Sequence, residues 1–163
     1  MERIRQYLAS VAVNGDDSFA DPASAEYQAL VWLQGGDPLK LDPIEFENHL
    51  RLDQRYALLT LWFQSEFNWV DETNWLSEDE CTWTGVTCEV VSPEMRRNLQ
   101  EGSEVVVGLN LKSNNVQGRI PDDIKLLQFL LSLDLSKNQL AGDIPASIHK
   151  LEFLEEMYLD TNK

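Results

Sequence analysis

The amino-acid sequence predicts an α/β repeat protein, in which short strands and helical turns stack in successive units behind a helical N-terminal part. Three observations support this prediction. A pattern of 24 residues recurs in the last third of the 163-residue chain. Within each copy, leucines alternate with polar residues, as on a short strand that buries one face. Residues 1–70 carry no repeat and instead show acidic residues and prolines that are typical of helix starts.

The composition supports a folded core and excludes two classes of partner. Hydrophobic residues make up 43% of the chain, which is enough to form a core. The 28 acidic and 13 basic residues give a net charge of −15. This charge repels nucleic acid and anionic membranes, so neither is expected as a partner. The longest apolar run, residues 56–63, is too short for the ~20 residues of a membrane span. Residues 1–13 mix charges into their first turns and do not resemble a secretory signal.

The repeat appears when residues 105–128 are overlaid on residues 129–152 without a gap. Eight of the 24 aligned positions are identical, and most differences fall where solvent-facing side chains are expected. A third copy begins at Phe153, in which Met157 follows Leu109 and Leu133 in register. One unit cannot bury its apolar face alone, so stacked units must share a continuous core.

Positions within the repeat have distinct physical roles. Leu109 and Leu111 point to one face of a strand, whereas Asn110 and Lys112 point to the other. Asparagine follows each strand where the chain must turn, and its side-chain amide can bond backbone groups that lack a strand partner. We therefore predict a structural ladder of three asparagines: Asn114, Asn138 and Asn162.

The pattern resembles the plant-type leucine-rich repeat, LxLxxNxLxGxIPxxLxxLxx, which is present twice before a third copy begins. Its most specific part, Gly-x-Ile-Pro, occupies residues 118–121 and 142–145. The resemblance implies a right-handed α/β leucine-rich-repeat solenoid with short parallel strands on its concave face. We predict that this part spans residues 105–163, with two complete repeats and a truncated third.

The two cysteines, Cys81 and Cys88, lie in the motif Cys-x-Trp-x-Gly-Val-x-Cys. A zinc site needs four ligands, and the two histidines of the chain have no ligand spacing. A thioredoxin-type pair has two intervening residues, whereas this pair has six. A local disulfide that closes a short loop fits better, although two free thiols remain an open alternative in a reducing compartment.

This segment resembles the N-terminal cap that precedes plant-type leucine-rich repeats. The resemblance implies that Trp75, Trp83 and Val86 form a cap core that covers the apolar edge of the first unit. The alternative is that these aromatic residues line a ligand pocket. We predict a cap domain over residues 53–104, which includes a surface insertion between Glu89 and Glu104.

Residues 1–52 are predicted to form an acidic helical extension. Helices are expected over residues 2–11, over residues 22–34, and from residue 43 towards residue 67 with a bend or break near Asp53. Asp21 and Asp42 each precede a proline, as capping residues do, and Glu45 completes a capping box with Asp42.

We find no residues arranged for catalysis, cofactor binding or metal binding. The sequence holds no Gly-x-Ser-x-Gly elbow, phosphate-binding loop or His-Glu-x-x-His motif. His49 and His149 stand alone and are expected to be surface or cap residues. The chain is therefore predicted not to be an enzyme.

Function is expected on the outward side of the strands, where Tyr158 is the predicted anchor. The register also places Val107 and Leu131 on this side. The candidate ligand face comprises Asn110, Lys112, Ser132, Asp134, Ser136, Glu156, Tyr158 and Asp160.

The resemblance implies a recognition module: the N-terminal part of a receptor-like or secreted leucine-rich-repeat protein with a protein or peptide ligand. Membrane attachment, if any, would use a segment outside this chain. The alternative hypothesis is a structural or assembly subunit, whose helical leader and open repeat end pack against other proteins. A disulfide implies an extracellular or lumenal location, although no signal peptide is visible.

Overall fold

The computed structural model describes residues 2–65, 68–90 and 102–163. Three α-helices precede the strands: α1 (Glu2–Val11), α2 (Ala25–Val31) and α3 (Asn48–Gln64). Helix α1 has the predicted bounds. Helix α2 begins later than predicted, because the hydroxyl of Ser24 accepts the N–H of Tyr27 and caps the helix there. The Asp21 carboxylate instead accepts the N–H of Ala23 in a turn. A turn of π-helix, Trp32–Gly36, follows α2.

Helix α3 is continuous, so the predicted bend or break near Asp53 is wrong. The helix begins after Glu47 and not at the predicted capping box, because the Asp42 carboxylate closes a local turn onto the N–H of Ile44. Its side chains are buried at every position from Leu52 to Trp62. A helix that is buried all round lies inside the molecule, which explains its lack of a polar face. The predicted domain boundary at residue 52 falls within α3. The predicted end of this helix, near residue 67, lies outside the described residues.

The strands are β1 (Val86–Val90), β2 (Glu104–Asn110), β3 (Gln117–Gly118), β4 (Ser132–Asp134), β5 (Gln139–Leu140) and β6 (Glu156–Tyr158). The main sheet contains four of them, in the order β1-β2-β4-β6. Strand β1 is antiparallel to β2, whereas β2, β4 and β6 are parallel. A second sheet pairs the short strands β3 and β5 in parallel. Residues 91–101, which form most of the predicted insertion, lie outside the described residues.

Residues that lie 24 apart in the sequence are direct partners in neighbouring parallel strands. Leu109 pairs with Leu133, and Leu133 pairs with Met157, as the repeat predicts. Leu109 and Leu133 are fully buried, whereas Met157 is 40% exposed because it lies on the edge strand β6. Short 3₁₀ turns, Asp122–Leu126 and Ala146–Lys150, supply the predicted helical turns and follow a proline in both units.

Turns after the strands repeat the same backbone conformation. Ser113, Lys137 and Thr161 occupy equivalent positions and have φ values of 57°, 56° and 59°. Gly118 also has a positive φ, and a Cβ atom there would lie 2.6 Å from the side chain of Gln64. Glycine is therefore required at this position, both for its φ and for the close approach of helix α3.

The helices and the repeat units share one hydrophobic core. Its buried side chains include Leu8 of α1, Tyr56 of α3 and Leu133 of β4. Asp123, in the first 3₁₀ turn of the repeats, accepts hydrogen bonds from the N–H of Val13 and from the hydroxyl of Tyr56. These contacts attach the helical N-terminal part directly to the repeats.

Asp53 joins helices α1 and α3 inside this core. Its carboxylate accepts a hydrogen bond of 2.8 Å from the hydroxyl of Tyr7, and the Tyr7 ring stacks on His49 with ring centroids 4.3 Å apart. Asp53 is 6% exposed, and this burial raises its pKa from an ordinary 3.8 to about 6. The hydrogen bond from Tyr7 opposes the shift but does not cancel it.

We predict that Asp53→Asn flattens the pH dependence of stability in the window between pH 3.8 and about 6. Native Asp53 holds its proton in this window while the unfolded chain releases it. Its contribution to stability is thus complete below the window and is lost as the pH rises through about 6. Urea unfolding at a series of pH values measures the effect, with the exposed Asp17→Asn as control. Parallel profiles for the wild type and Asp53→Asn would contradict the prediction.

Candidate functional site

The outward side of the four-stranded sheet, called here the strand face, carries rows of residues that cross the strands, some exposed and some partly buried. One row consists of Asn110, Asp134 and Tyr158, which pair successively across β2, β4 and β6. A second row, offset by two residues, consists of Gly108, Ser132 and Glu156. Since neighbouring strands lie ~4.8 Å apart, the rows form a closely spaced lattice. The strand face comprises Gly108, Asn110, Lys112, Ser132, Asp134, Glu156, Tyr158 and Asp160.

Hydrogen bonds hold an acidic group at the centre of the strand face. The Asp134 carboxylate accepts the backbone N–H of Ser136 at 2.9 Å and its hydroxyl at 2.6 Å. Partial burial acts to raise the pKa of Asp134, but the Ser136 hydrogen bonds hold that pKa below its usual value. The ammonium of Lys112 lies 3.9 Å from the same carboxylate. Tyr158 is 46% exposed beside it. The face therefore presents a fixed carboxylate between a cation and an aromatic ring.

Two residues predicted on the outward side are buried, so their predicted exposure is wrong. Ser136 is 1% exposed, because its hydroxyl turns back to Asp134 where the strand ends. Val107 is 6% exposed and forms a cluster with Val105, against which Leu50 of helix α3 and Leu131 pack. A position read from strand alternation is thus not exposed where the chain turns or where a helix side chain covers it.

The three asparagines that follow the strands bond backbone groups of neighbouring units. The side-chain carbonyl of Asn138 accepts the N–H groups of Asn114 and Val116 in the preceding unit. Its amide donates to the carbonyl of Leu111 in that unit and to carbonyls of its own unit. Asn162 makes equivalent bonds to the second unit. Each bond satisfies a backbone group that strand pairing leaves open.

A disulfide links Cys81 and Cys88, with an S–S distance of 2.05 Å. The segment that contains it, residues 68–90, is called here the disulfide segment. Its strand β1 pairs with the edge of β2 that faces away from β4, so Val86 lies opposite Leu109. The amide of Asn114 also brackets Asp71 of this segment, accepting its N–H and donating to its carbonyl. The disulfide segment therefore covers one edge of the repeat stack.

All five tryptophans of the chain lie in one cluster at this edge. The rings of Trp62 and Trp75 are stacked with centroids 5.4 Å apart, and Trp83 contacts Trp75 at 4.9 Å. Trp75 and Trp83 are 8% and 1% exposed, so they fill the interior and do not line an open pocket. The indole N–H of Trp75 donates to the carbonyl of Thr84 within the disulfide segment.

A buried arginine, which the sequence reasoning missed, joins the disulfide segment to the helices. Arg55 of α3 is fully buried and forms ion pairs with Asp37 at 2.9 Å and with Glu80 at 2.6 Å. Its guanidinium packs against the rings of both Trp32 and Trp83, 5.2 Å and 5.1 Å from their centroids. The available signal was an arginine immediately before the apolar run of residues 56–63, since a buried arginine requires acidic partners.

Among the residues that the structure describes, no group of three or more histidine, cysteine or acidic side chains could hold a metal ion. No described helix is long and apolar enough to cross a bilayer. His49 stacks on Tyr7, whereas His149 lies exposed in a 3₁₀ turn of the repeats.

Comparison with known proteins identifies a repeat family within the chain. A family model described as Leucine Rich Repeat matches residues 129–151. Leucine-rich repeat extensin-like protein 5 of Arabidopsis thaliana is 28% identical over 129 residues, which are 74% of this chain and 14% of that protein. The chain therefore contains a leucine-rich repeat and has a relative among plant extensin-like proteins, of whose length it spans only a small part.

Two solved plant structures are similar in fold. The leucine-rich-repeat ectodomain of the receptor kinase SOBIR1 from Arabidopsis thaliana matches with a TM-score of 0.51 and 28% identity, over 66% of this chain and 52% of that one. A plant ice-binding protein matches with a TM-score of 0.53 and 25% identity, over 68% of this chain and 32% of that one. The fold thus resembles that of a plant receptor ectodomain.

We predict that replacing both cysteines, Cys81→Ser with Cys88→Ser, lowers the free energy of unfolding by about 2–3 kcal/mol. The disulfide closes a short loop, and its loss returns that loop's entropy to the unfolded chain. Urea unfolding measures the loss, and a reducing agent should destabilise the wild type but leave the double variant unchanged. Equal unfolding midpoints for the oxidised wild type and the double variant would contradict the prediction.

We predict that Asn138→Ala lowers the free energy of unfolding by about 3 kcal/mol, because several buried backbone groups lose their hydrogen bonds together. The matched control is Asn110→Ala, whose exposed side chain accepts one hydrogen bond, from Lys112. This control should cost less than about 1 kcal/mol. Similar losses for both variants, measured by urea unfolding, would show that the buried asparagine has no special structural role.

Proposed function

We propose that this chain is a non-enzymatic module that recognises a protein or peptide through its strand face. The observation that carries the proposal is the row of Asn110, Asp134 and Tyr158, in which three different side chains lie in strand register. Exposed side chains of different chemistry at fixed spacing can match the side chains of an extended ligand. Tyr158 is the proposed anchor, because a half-exposed tyrosine offers a large apolar area and a polar tip.

Hydrogen bonding of Asp134 supports this proposal. Its carboxylate is held by Ser136 before any ligand arrives, so binding costs little side-chain entropy at this position. The cation of Lys112 lies beside it, which gives the face an ordered pattern of charge. Such a pattern selects among partners more than it adds affinity.

The likeness to a receptor ectodomain supports recognition as the function. We further propose that the disulfide segment is the N-terminal cap of a right-handed solenoid whose concave face carries the parallel strands. Support for the cap comes from β1, which pairs with the outer edge of β2, and from the tryptophan cluster behind it. A disulfide of this kind favours an extracellular or lumenal location.

The assembly hypothesis receives less support from the helices. Leu8 of α1 and Leu30 of α2 are buried in the same core as the repeats, so their apolar sides are already covered within the chain. The strand rows here mix amide, carboxylate and aromatic groups, which favours a protein or peptide ligand.

Selection of displayed peptides tests the proposal. An unbiased peptide library is selected against the wild type and against the variant that combines Lys112→Ala, Asp134→Ala and Tyr158→Ala. A control variant combines Lys150→Ala with Asp143→Ala, which changes the same charges at exposed positions away from the strands. We expect peptides enriched on the wild type to lose about tenfold or more in affinity for the strand-face variant. The control variant should retain them.

Equal enrichment on the strand-face variant and the control variant would refute recognition through the strand face. Thermal unfolding of each variant shows whether it is folded. Loss of binding counts in favour of the proposal only for a variant whose melting temperature matches that of the control.

A further inference from the structure

A second apolar cluster, separate from the main core, lies beside the strand face at the N-terminal ends of the strands. We call it the apolar strip. Val105 and Val107 form its buried floor, and larger side chains pack on them with part of their surface exposed. The apolar strip consists of Leu50, Val105, Val107, Phe129, Leu131 and Phe153.

The strip follows from the same register that aligns the strand rows. Val105, Phe129 and Phe153 occupy one position in three successive units, 24 residues apart. The rings of Phe129 and Phe153 are stacked, with centroids 5.9 Å apart and an interplanar angle of 15°. Phe153 is 42% exposed, and Phe129 is half-buried. A contiguous apolar surface of this kind marks an interaction site more often than a scattered hydrophobic side chain does.

Carboxylates border the strip. Glu104 and Glu152 hold one position of the repeat, immediately before Val105 and Phe153, and both are exposed. Exposed Glu155 donates its backbone N–H to the carbonyl of Leu131 and so lies at the other side of the strip. Three exposed glutamates therefore adjoin the strip along the chain and give its border a negative charge.

The basic residue next to Leu50 does not neutralise this border. The guanidinium of Arg51 bonds the buried carboxylate of Glu80 at 2.8 Å and lies 3.5 Å from Asp79, so its charge is already matched. The chain as a whole carries a net charge of −15, which adds to the negative potential at the strip.

We propose that the apolar strip binds a cationic amphipathic segment of the partner protein. Apolar side chains of that segment cover Phe129, Leu131 and Phe153, while its lysines or arginines meet the carboxylates that border the strip. This inference rests on the proposed recognition function and extends its surface beyond the strand rows. A second copy of this chain is a poorer occupant, because its own border would bring carboxylates against carboxylates.

Two synthetic peptides of about twelve residues test the proposal. Both have the same lysine content and net charge; one carries leucine and phenylalanine in an amphipathic pattern, and the other carries serine at those positions. Fluorescence anisotropy measures their binding to the wild type at low salt. We expect the amphipathic peptide to bind about tenfold more tightly than the lysine-serine peptide, because only it can cover the strip.

Variants locate the binding. Phe153→Ser should remove most of this preference without weakening the lysine-serine peptide. The triple variant Glu104→Gln, Glu152→Gln and Glu155→Gln should weaken both peptides by about tenfold and reduce the salt dependence of binding. The control is Phe46→Ser, which removes a ring that is 68% exposed on a different loop and should leave the preference unchanged. All the substituted side chains are exposed, so the variants should fold, and thermal unfolding verifies this.

Three outcomes would overturn the inference. The first is an equal preference in Phe153→Ser and the wild type, and the second is an equal loss of preference in Phe46→Ser. The third is a wild-type dimer in sedimentation that Phe153→Ser abolishes, which would make a second copy the occupant. In any of these cases, peptides whose binding is lost when Tyr158 is replaced would still support the strand-face proposal. Peptides whose binding depends neither on Tyr158 nor on Phe153 would refute both proposals.

Discussion

The buried guanidinium of Arg55 is the constraint on which the rest of the arrangement depends. A fully buried arginine is tolerated only with acidic partners, and here Asp37 and Glu80 supply them from opposite directions in the chain. The rings of Trp32 and Trp83 both pack against it. The turn after α2 and the disulfide segment are thereby held against α3. Without this charge, the buried carboxylate of Asp37 would lose its cation and Glu80 would keep only Arg51, so the three segments are coupled to one another.

The position of the disulfide segment decides in turn where the sheet begins. Because its tryptophans pack on α3, strand β1 reaches the free edge of β2, which would otherwise present unpaired backbone groups. From β2 onwards, the register of 24 residues places equivalent positions side by side. Two adjoining surfaces result from this one register: polar rows towards the C-terminal ends of the strands, and the apolar strip at their N-terminal ends. A ligand that lies across the strands could contact both surfaces at once.

The helical N-terminal part has a structural role in this arrangement. Asp123 of the first repeat unit accepts hydrogen bonds from Val13 and Tyr56, and Leu8 lies in the core shared with the repeats. These contacts make the helices a support for the repeat stack. The outward side of the strands carries the exposed Asn110, Glu156 and Tyr158, and Leu50 is the point where helix α3 joins it through the strip.

The repeat spacing, the strand register and the asparagine positions could be read from the sequence, which also favoured a disulfide between the two cysteines while leaving free thiols open. The sequence also supplied helix α1 and most of the exposed strand residues. These features are encoded by local spacing, which repeats or lies within a few residues, and stacked units convert spacing directly into contacts. The burial of Ser136 and Val107, the continuity of α3 through Asp53, and the partners of Arg55 became visible only in the folded chain. Those outcomes depend on which non-repeating residues, distant along the chain, come to cover one another, and no periodic pattern records that choice.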